Sequence, residues 1–271
     1  MKINKGYRSF FGFTKEPFSG ELTVKEILQT EQLLGVKNRF DYAIRLGAIA
    51  LVTGEIGSGK STALRYAAAN LHPSEYHSFH VIASSGSIVE LYRQIGHELG
   101  LAKSGISKAV MTCAIRKEIT ELIQAKKMKV VLIIDEASLL RLEVLAELHT
   151  ILQFDKDSKP WLPMILAGQS NLVDKLFYRT SQPLASRIIA RSHLEGLDRD
   201  GMQQYLMHHL KLAGVKTNLF EDAAVTAIHQ GSGGLLRKSN HLARGALIAA
   251  ADTKCTTVNA EHVRLASTEI F

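Results

Sequence analysis

Residues Gly54 to Ser61 read Gly-Glu-Ile-Gly-Ser-Gly-Lys-Ser: two glycines with four residues between them, then lysine, then a hydroxyl residue. That spacing suits one chemistry, the cradling of a triphosphate. Glycine lets the backbone turn tightly, so that N–H groups from Gly54, Glu55, Ile56, Gly57, Ser58 and Gly59 point inward at anionic oxygens. Lys60 adds a full positive charge near the β- and γ-phosphates, the Ser61 hydroxyl is a ligand for Mg²⁺, and Thr62 extends the helix N-terminus beneath them. A second signature follows in Val130-Val-Leu-Ile-Ile-Asp135-Glu136. A carboxylate ending a central strand of an open α/β sheet lies beside such a loop, which gives Asp135 to the metal and Glu136 to the attacking water as general base.

These groups need a scaffold. An apolar run over Ala48–Thr53 suits a buried parallel strand, and Thr62–Asn70 is rich in helix formers. Further strands are expected at His77–Ala83, Val130–Ile134 and Trp161–Ala167. Helices are expected at Gln32–Arg45, Ser87–Leu99, Ser107–Ala125 and Leu142–Phe154. In the third of these, Val110, Ala114, Ile115, Ile119, Leu122 and Ile123 are expected to face inward. Such alternation predicts an α/β fold with a parallel sheet flanked by helices. Beyond Leu197-Asp-Arg-Asp-Gly201 the pattern is helical throughout. The expected division is an α/β core over 1–196, with a lead-in over 1–30, and an all-helical lid over 197–271.

A formal charge of +7 and a pI near 9.3 favour a polyanionic partner, nucleic acid or an anionic membrane surface. The longest apolar runs are strand-sized, which excludes a membrane span among them, and the opening residues lack a signal-peptide core. Cys113 and Cys255 lie far apart, which argues against a disulfide framework or zinc site and for a reduced, cytoplasmic setting.

Ile134-Asp-Glu-Ala137, with the two-part layout, resembles the AAA+ ATPases. The resemblance implies three more polar groups. Gln169, ending Met164-Ile-Leu-Ala-Gly-Gln, matches the residue that senses the γ-phosphate, or else caps the strand. Arg187 in Leu184-Ala-Ser-Arg-Ile matches the arginine finger given to a neighbouring subunit, with Arg191 the alternative. Arg237 in Gly233-Gly-Leu-Leu-Arg-Lys-Ser-Asn240 matches the lid arginine that contacts nucleotide, with leucine in place of the usual proline.

Phe10-Phe-Gly-Phe-Thr-Lys-Glu-Pro-Phe18 resembles the opening of the ExeA (general secretion pathway A) ATPases, where it lies near the base; Phe11, Pro17 and Phe18 also suit core packing. Secretion members usually carry a membrane segment and a wall-binding region after the ATPase module, and the sequence to Phe271 shows neither. With the basic charge, this turns expectation toward transposition regulators of the TniB, TnsC, MuB and IstB kind. The resemblance then implies a homo-oligomer, ring or helical filament, that binds double-stranded DNA with ATP and recruits or activates a transposase. A secretion or envelope-assembly ATPase and a replication or plasmid loader are the alternatives. Lys103 and Lys108, flanking a polar loop, are the expected DNA contacts. The cluster Lys126-Lys127-Met-Lys129 reads as solubilising, and His208, His209, His229 and His241 as surface or packing residues.

Overall fold

The computed structural model describes residues 6–101 and 107–268. A short helix α1 (Tyr7–Phe11) and a 3₁₀ turn (Val24–Glu26) open the chain. Next come α2 (Glu31–Leu46), β1 (Ile49–Gly54), α3 (Lys60–Ala69), β2 (Tyr76–Ile82), α4 (Ile88–Glu98) and α5 (Lys108–Gln124). Then follow β3 (Lys129–Asp135), α6 (Leu142–Leu148), β4 (Met164–Gly168), α7 (Asn171–Phe177), α8 (Gln182–Ala185) and β5 (Ile188–Leu194). Among the described residues four helices follow: α9 (Arg199–Leu212), α10 (Asp222–Ser232), α11 (Leu236–Asp252) and α12 (Ala260–Ser267).

The five strands among the described residues pair in parallel in the order β2-β3-β4-β1-β5. Strand β4 therefore lies between β1, which leads into the glycine loop, and β3, which ends at Asp135. Strands β1, β3 and β4 are buried almost throughout, which is why they read as apolar runs without alternation. Pairing of β4 starts only at Met164, later than the apolar run suggests, because Pro160 and Pro163 have no N–H to donate. On α5 the buried face is Met111, Ile115, Ile119 and Leu122, spaced by helical turns, while Val110 is exposed, contrary to expectation. The helix expected over Leu142–Phe154 tightens to 3₁₀ over His149–Leu152, where Arg116 takes the Thr150 carbonyl.

By contact the chain forms two units. One holds the sheet, Glu31–Gly54 and Lys60–Leu194; the other joins Glu55–Gly59, Glu195–Phe271 and the lead-in to Thr30. The lead-in, read from sequence as an appendage of the core, thus groups with the C-terminal helices. The reason is aromatic. Tyr7, Phe13 and Phe18 are buried in the same cluster as Leu206, Leu210, Phe220 and Leu247. Phe18 stacks on His209 with ring centroids 5.2 Å apart and meets Phe220 edge-on. Thr14 bonds the Ala213 carbonyl through its N–H at 2.9 Å, and the Arg244 guanidinium donates to the Phe18 carbonyl at 2.6 Å.

His209 is buried, its Nε2 has no hydrogen-bond partner among the described residues, and burial pushes its pKa down to about 4. The folded ring stays neutral while the unfolded one takes a proton below its ordinary value of 6.5. Its contribution is therefore full above pH 6.5 and lost as pH falls toward 4, about 3 kcal/mol in all. His209→Phe is expected to remove most of the acid sensitivity of this unit. Denaturant unfolding at pH 7.5 and 4.5 measures it, and an unchanged loss between the two would assign the sensitivity elsewhere.

Candidate nucleotide site

The sheet brings the sequence-predicted residues to the carboxyl ends of its central strands. β1 ends at Gly54, and α3 begins directly at Lys60, whose ammonium is buried and donates to the Gly54 carbonyl at 2.9 Å. One residue on, the Ser61 hydroxyl donates to Asp135 Oδ2 at 2.6 Å, spanning from α3 to the end of β3. Asp135 is buried, and its Oδ1 accepts the Glu136 N–H at 2.8 Å. Gln169 follows β4, whose Gly168 is in register with Thr53 of β1, so in the sheet it comes between the loop strand and the acid strand. Thr62 is half-buried in the first turn of α3.

Glu136 holds a left-handed backbone, φ 52° and ψ 30°, which costs a non-glycine residue about 1 kcal/mol. The strain is held in place by the turn that follows. Leu139 N–H bonds the Glu136 carbonyl at 2.9 Å, and the Lys175 ammonium donates to the Ser138 and Leu140 carbonyls at 2.7 and 2.8 Å. Gly168 of β4 lies so close that a Cβ there would come within 2.7 Å of the Ser138 nitrogen. Lys175 therefore fixes where the Glu136 carboxylate starts from, a role that no local motif announces.

Two histidines also escape sequence reading. His80 on β2 brings Nε2 to 3.9 Å from Asp135 Oδ2, and His193 on β5 pairs Nδ1 with the buried Thr53 hydroxyl at 2.9 Å. Both come from period-two positions on strands, where a polar residue ordinarily means a solvated face.

Arg187 immediately precedes β5, where its carbonyl accepts the Ile49 N–H at 3.0 Å. It thus stands at the amino end of the sheet. Its guanidinium bonds Asp157 at 2.5 Å and the Pro183 carbonyl at 2.7 Å. Arg191 is exposed farther along β5, in register with Leu51. Of the expected DNA contacts, Lys103 lies outside the described residues. Lys108 is exposed, and its bond to Glu147 at 2.7 Å holds its pKa above the ordinary lysine value.

In the other unit, the loop crest Glu55–Gly59 meets the lid. Arg237 N–H donates to the Gly57 carbonyl at 3.2 Å, and Gly57, at φ 86°, would place a Cβ 2.9 Å from Arg237 Cβ. Gly57 is thus required by the lid as well as by the turn. Within the crest the Ser58 hydroxyl is buried without a partner among the described residues. The glycines before Arg237 have a structural duty too: at Gly234, φ 75°, a Cβ would fall 2.2 Å from the Leu197 carbonyl oxygen.

Residues 44–176 match the family model described as AAA domain. The parallel sheet, phosphate loop and strand-end acid pair carry the same assignment. The chain is an AAA+ ATPase. It is 31% identical over 246 residues to "General secretion pathway protein A" of Aeromonas hydrophila. That alignment takes in 90% of this chain and 45% of the relative's length, so the chain spans less than half of that protein. Among solved structures, Cdc6p of Pyrobaculum aerophilum aligns with a TM-score of 0.71 at 16% identity, covering 94% of this chain and 70% of that one. The Aeropyrum pernix ORC1 protein, solved in complex with DNA, gives 0.66 at 17% identity over 91% and 67%. RuvB of Thermotoga maritima, a Holliday junction branch migration motor, gives 0.56 at 18% identity over 93% and 72%. At these identities the likeness is one of fold. No helix among the described residues of this AAA+ ATPase is long and apolar enough to cross a membrane.

Proposed function

We propose that this AAA+ ATPase binds ATP with Mg²⁺, hydrolyses it at a site completed by a second copy, and assembles on duplex DNA to regulate transposition. The observation that carries the assembly step is the position of Arg187. It stands at the amino end of β5, whereas Gly54 and Lys60 lie at the carboxyl ends of the strands, roughly 20 Å along the sheet. An arginine cannot span that distance to its own triphosphate, so any phosphate it meets belongs to a neighbour, in a ring or helical filament.

The residues suit the substrate. Lys60 and the loop N–H groups neutralise phosphate charge, and the orphaned Ser58 hydroxyl gains an acceptor when phosphate enters. Ser61 and Asp135 offer hard oxygen donors 2.6 Å apart, the donor type that Mg²⁺ selects. When bound there, Mg²⁺ supplies charge neutralisation to the β- and γ-oxygens. Glu136 accepts the proton of the attacking water, Gln169 orients the γ-phosphate, and Arg237 is the lid's contribution to the nucleotide.

The DNA step is supported by the net charge of +7 and by a fold shared with an ORC1 protein solved with DNA. Lys103 and Lys108 remain its first contacts, the transposase its expected partner and the cytoplasm its setting. A second reading, an ATPase of secretion, is favoured by the 31% identity to the secretion relative. Incubation with a non-hydrolysable ATP analogue and random duplex at 50 and 200 mM salt separates the two. Assembly reading requires DNA-dependent oligomers whose affinity falls steeply with salt. Their absence at both concentrations would remove it.

A further inference from the structure

At the pole of the sheet away from the phosphate loop there is a second concavity. Its walls are α2 and the first residues of β2 and β3, and it is a half-open groove of about 470 Å³. Four side chains define its chemistry: Tyr42 and Arg45 from α2, Tyr76 opening β2 and Lys129 opening β3. The Arg45 guanidinium lies 5.5 Å from the Tyr42 ring centre, and the Lys129 ammonium lies 5.0 Å from that of Tyr76. Tyr42 is 42% exposed although large and aromatic, and Asn38 and Asp41 line the same wall. Asp41 is already neutralised by Lys37 at 2.7 Å, so the cavity's unbalanced charge is positive.

Aromatic faces beside cations are the recognition chemistry of a base bearing a phosphate. An acidic peptide of aliphatic residues would leave the rings without use, and an apolar ligand would strand the cations. We infer that the cavity bordered by Tyr42, Arg45, Tyr76 and Lys129 is a second nucleotide-binding site, taking an unpaired base on the tyrosines and its phosphate on the two cations. Its source is either one residue of a single-stranded nucleic acid or a free mononucleotide. The inference stands apart from the ATP-dependent assembly above, because these residues share nothing with the phosphate loop. It also gives Lys129 a task beyond solubility.

The test uses the full chain with saturating ADP and Mg²⁺, which occupies the phosphate loop. Fluorescein-labelled oligo(dT) of twelve residues is the probe, read by anisotropy, with unlabelled dTMP and a hairpin duplex as competitors. Tyr42→Ala and Tyr76→Ala are each expected to weaken the oligonucleotide roughly tenfold or more. Arg45→Ala and Lys129→Ala are each expected to flatten the log–log salt slope by about 0.7. Competition by dTMP identifies a mononucleotide site, and its failure identifies a strand site; the duplex should compete weakly in either case. Tyr42, Arg45 and Lys129 are exposed, so unchanged thermal unfolding serves as the folding control. Absence of binding by the native chain, or affinities within twofold in all four variants, would overturn the inference.

Discussion

An Arg187→Ala chain is expected to bind ATP with native affinity and to hydrolyse it about 10³- to 10⁵-fold more slowly, the range for removal of an arginine from a phosphoryl-transfer site. The decisive measurement is a mixture. A Lys60→Ala chain is expected to be inactive because it lacks the buried ammonium that meets phosphate, yet it keeps Arg187. Mixed with Arg187→Ala, it places a native arginine against a native ATP site, and steady-state turnover should recover well above the sum of the two. The competing account is structural: Arg187 bonds Asp157 in the turn between Asp155 and Lys159 and would simply hold that turn. Under it, Asp157→Ala reproduces the defect of Arg187→Ala, and mixing restores nothing. That pair of outcomes would end the trans assignment, and Arg191→Ala would be the next variant to assay.

Replacing Glu136 by glutamine should leave ATP binding intact, lower turnover by 10² to 10⁴, and lengthen the life of ATP-bound assemblies. The substitution keeps size and backbone while removing the carboxylate that takes the proton. The left-handed backbone at Glu136 sharpens the test. Glu136→Gly relieves that strain, and Glu136→Gln does not. A fall in turnover for both, with a rise in stability only for the glycine, separates lost chemistry from a disturbed turn. Native-like single-turnover rates in the glutamine chain would show that another group receives the proton.

Much of the fold was legible because its signals are local. The helical character expected beyond Leu197 is met by α9 to α12, two of which start at capping side chains, Asp198 and Asn259. Misreadings occurred where a distant partner decides. Val110 looks as apolar as Met111, and only the direction of α5 against its neighbours exposes one and buries the other. The helix after Leu142 tightens because Arg116, from another helix, takes the Thr150 carbonyl.

The candidate site divides the same way. Spacing along the chain by itself determined the phosphate loop and the acid pair, because those residues act from one turn and one strand end, and α/β pairing rules bring the two together. Only the tertiary structure decided that Arg187 stands a strand's length from Gly54, and that Lys175 braces the Glu136 turn. It alone packed Phe18 among the C-terminal helices and brought Tyr42 and Tyr76 to the lining of one cavity. Such juxtapositions join residues far apart in sequence through strand order and packing, neither of which leaves a periodicity or a spacing to read.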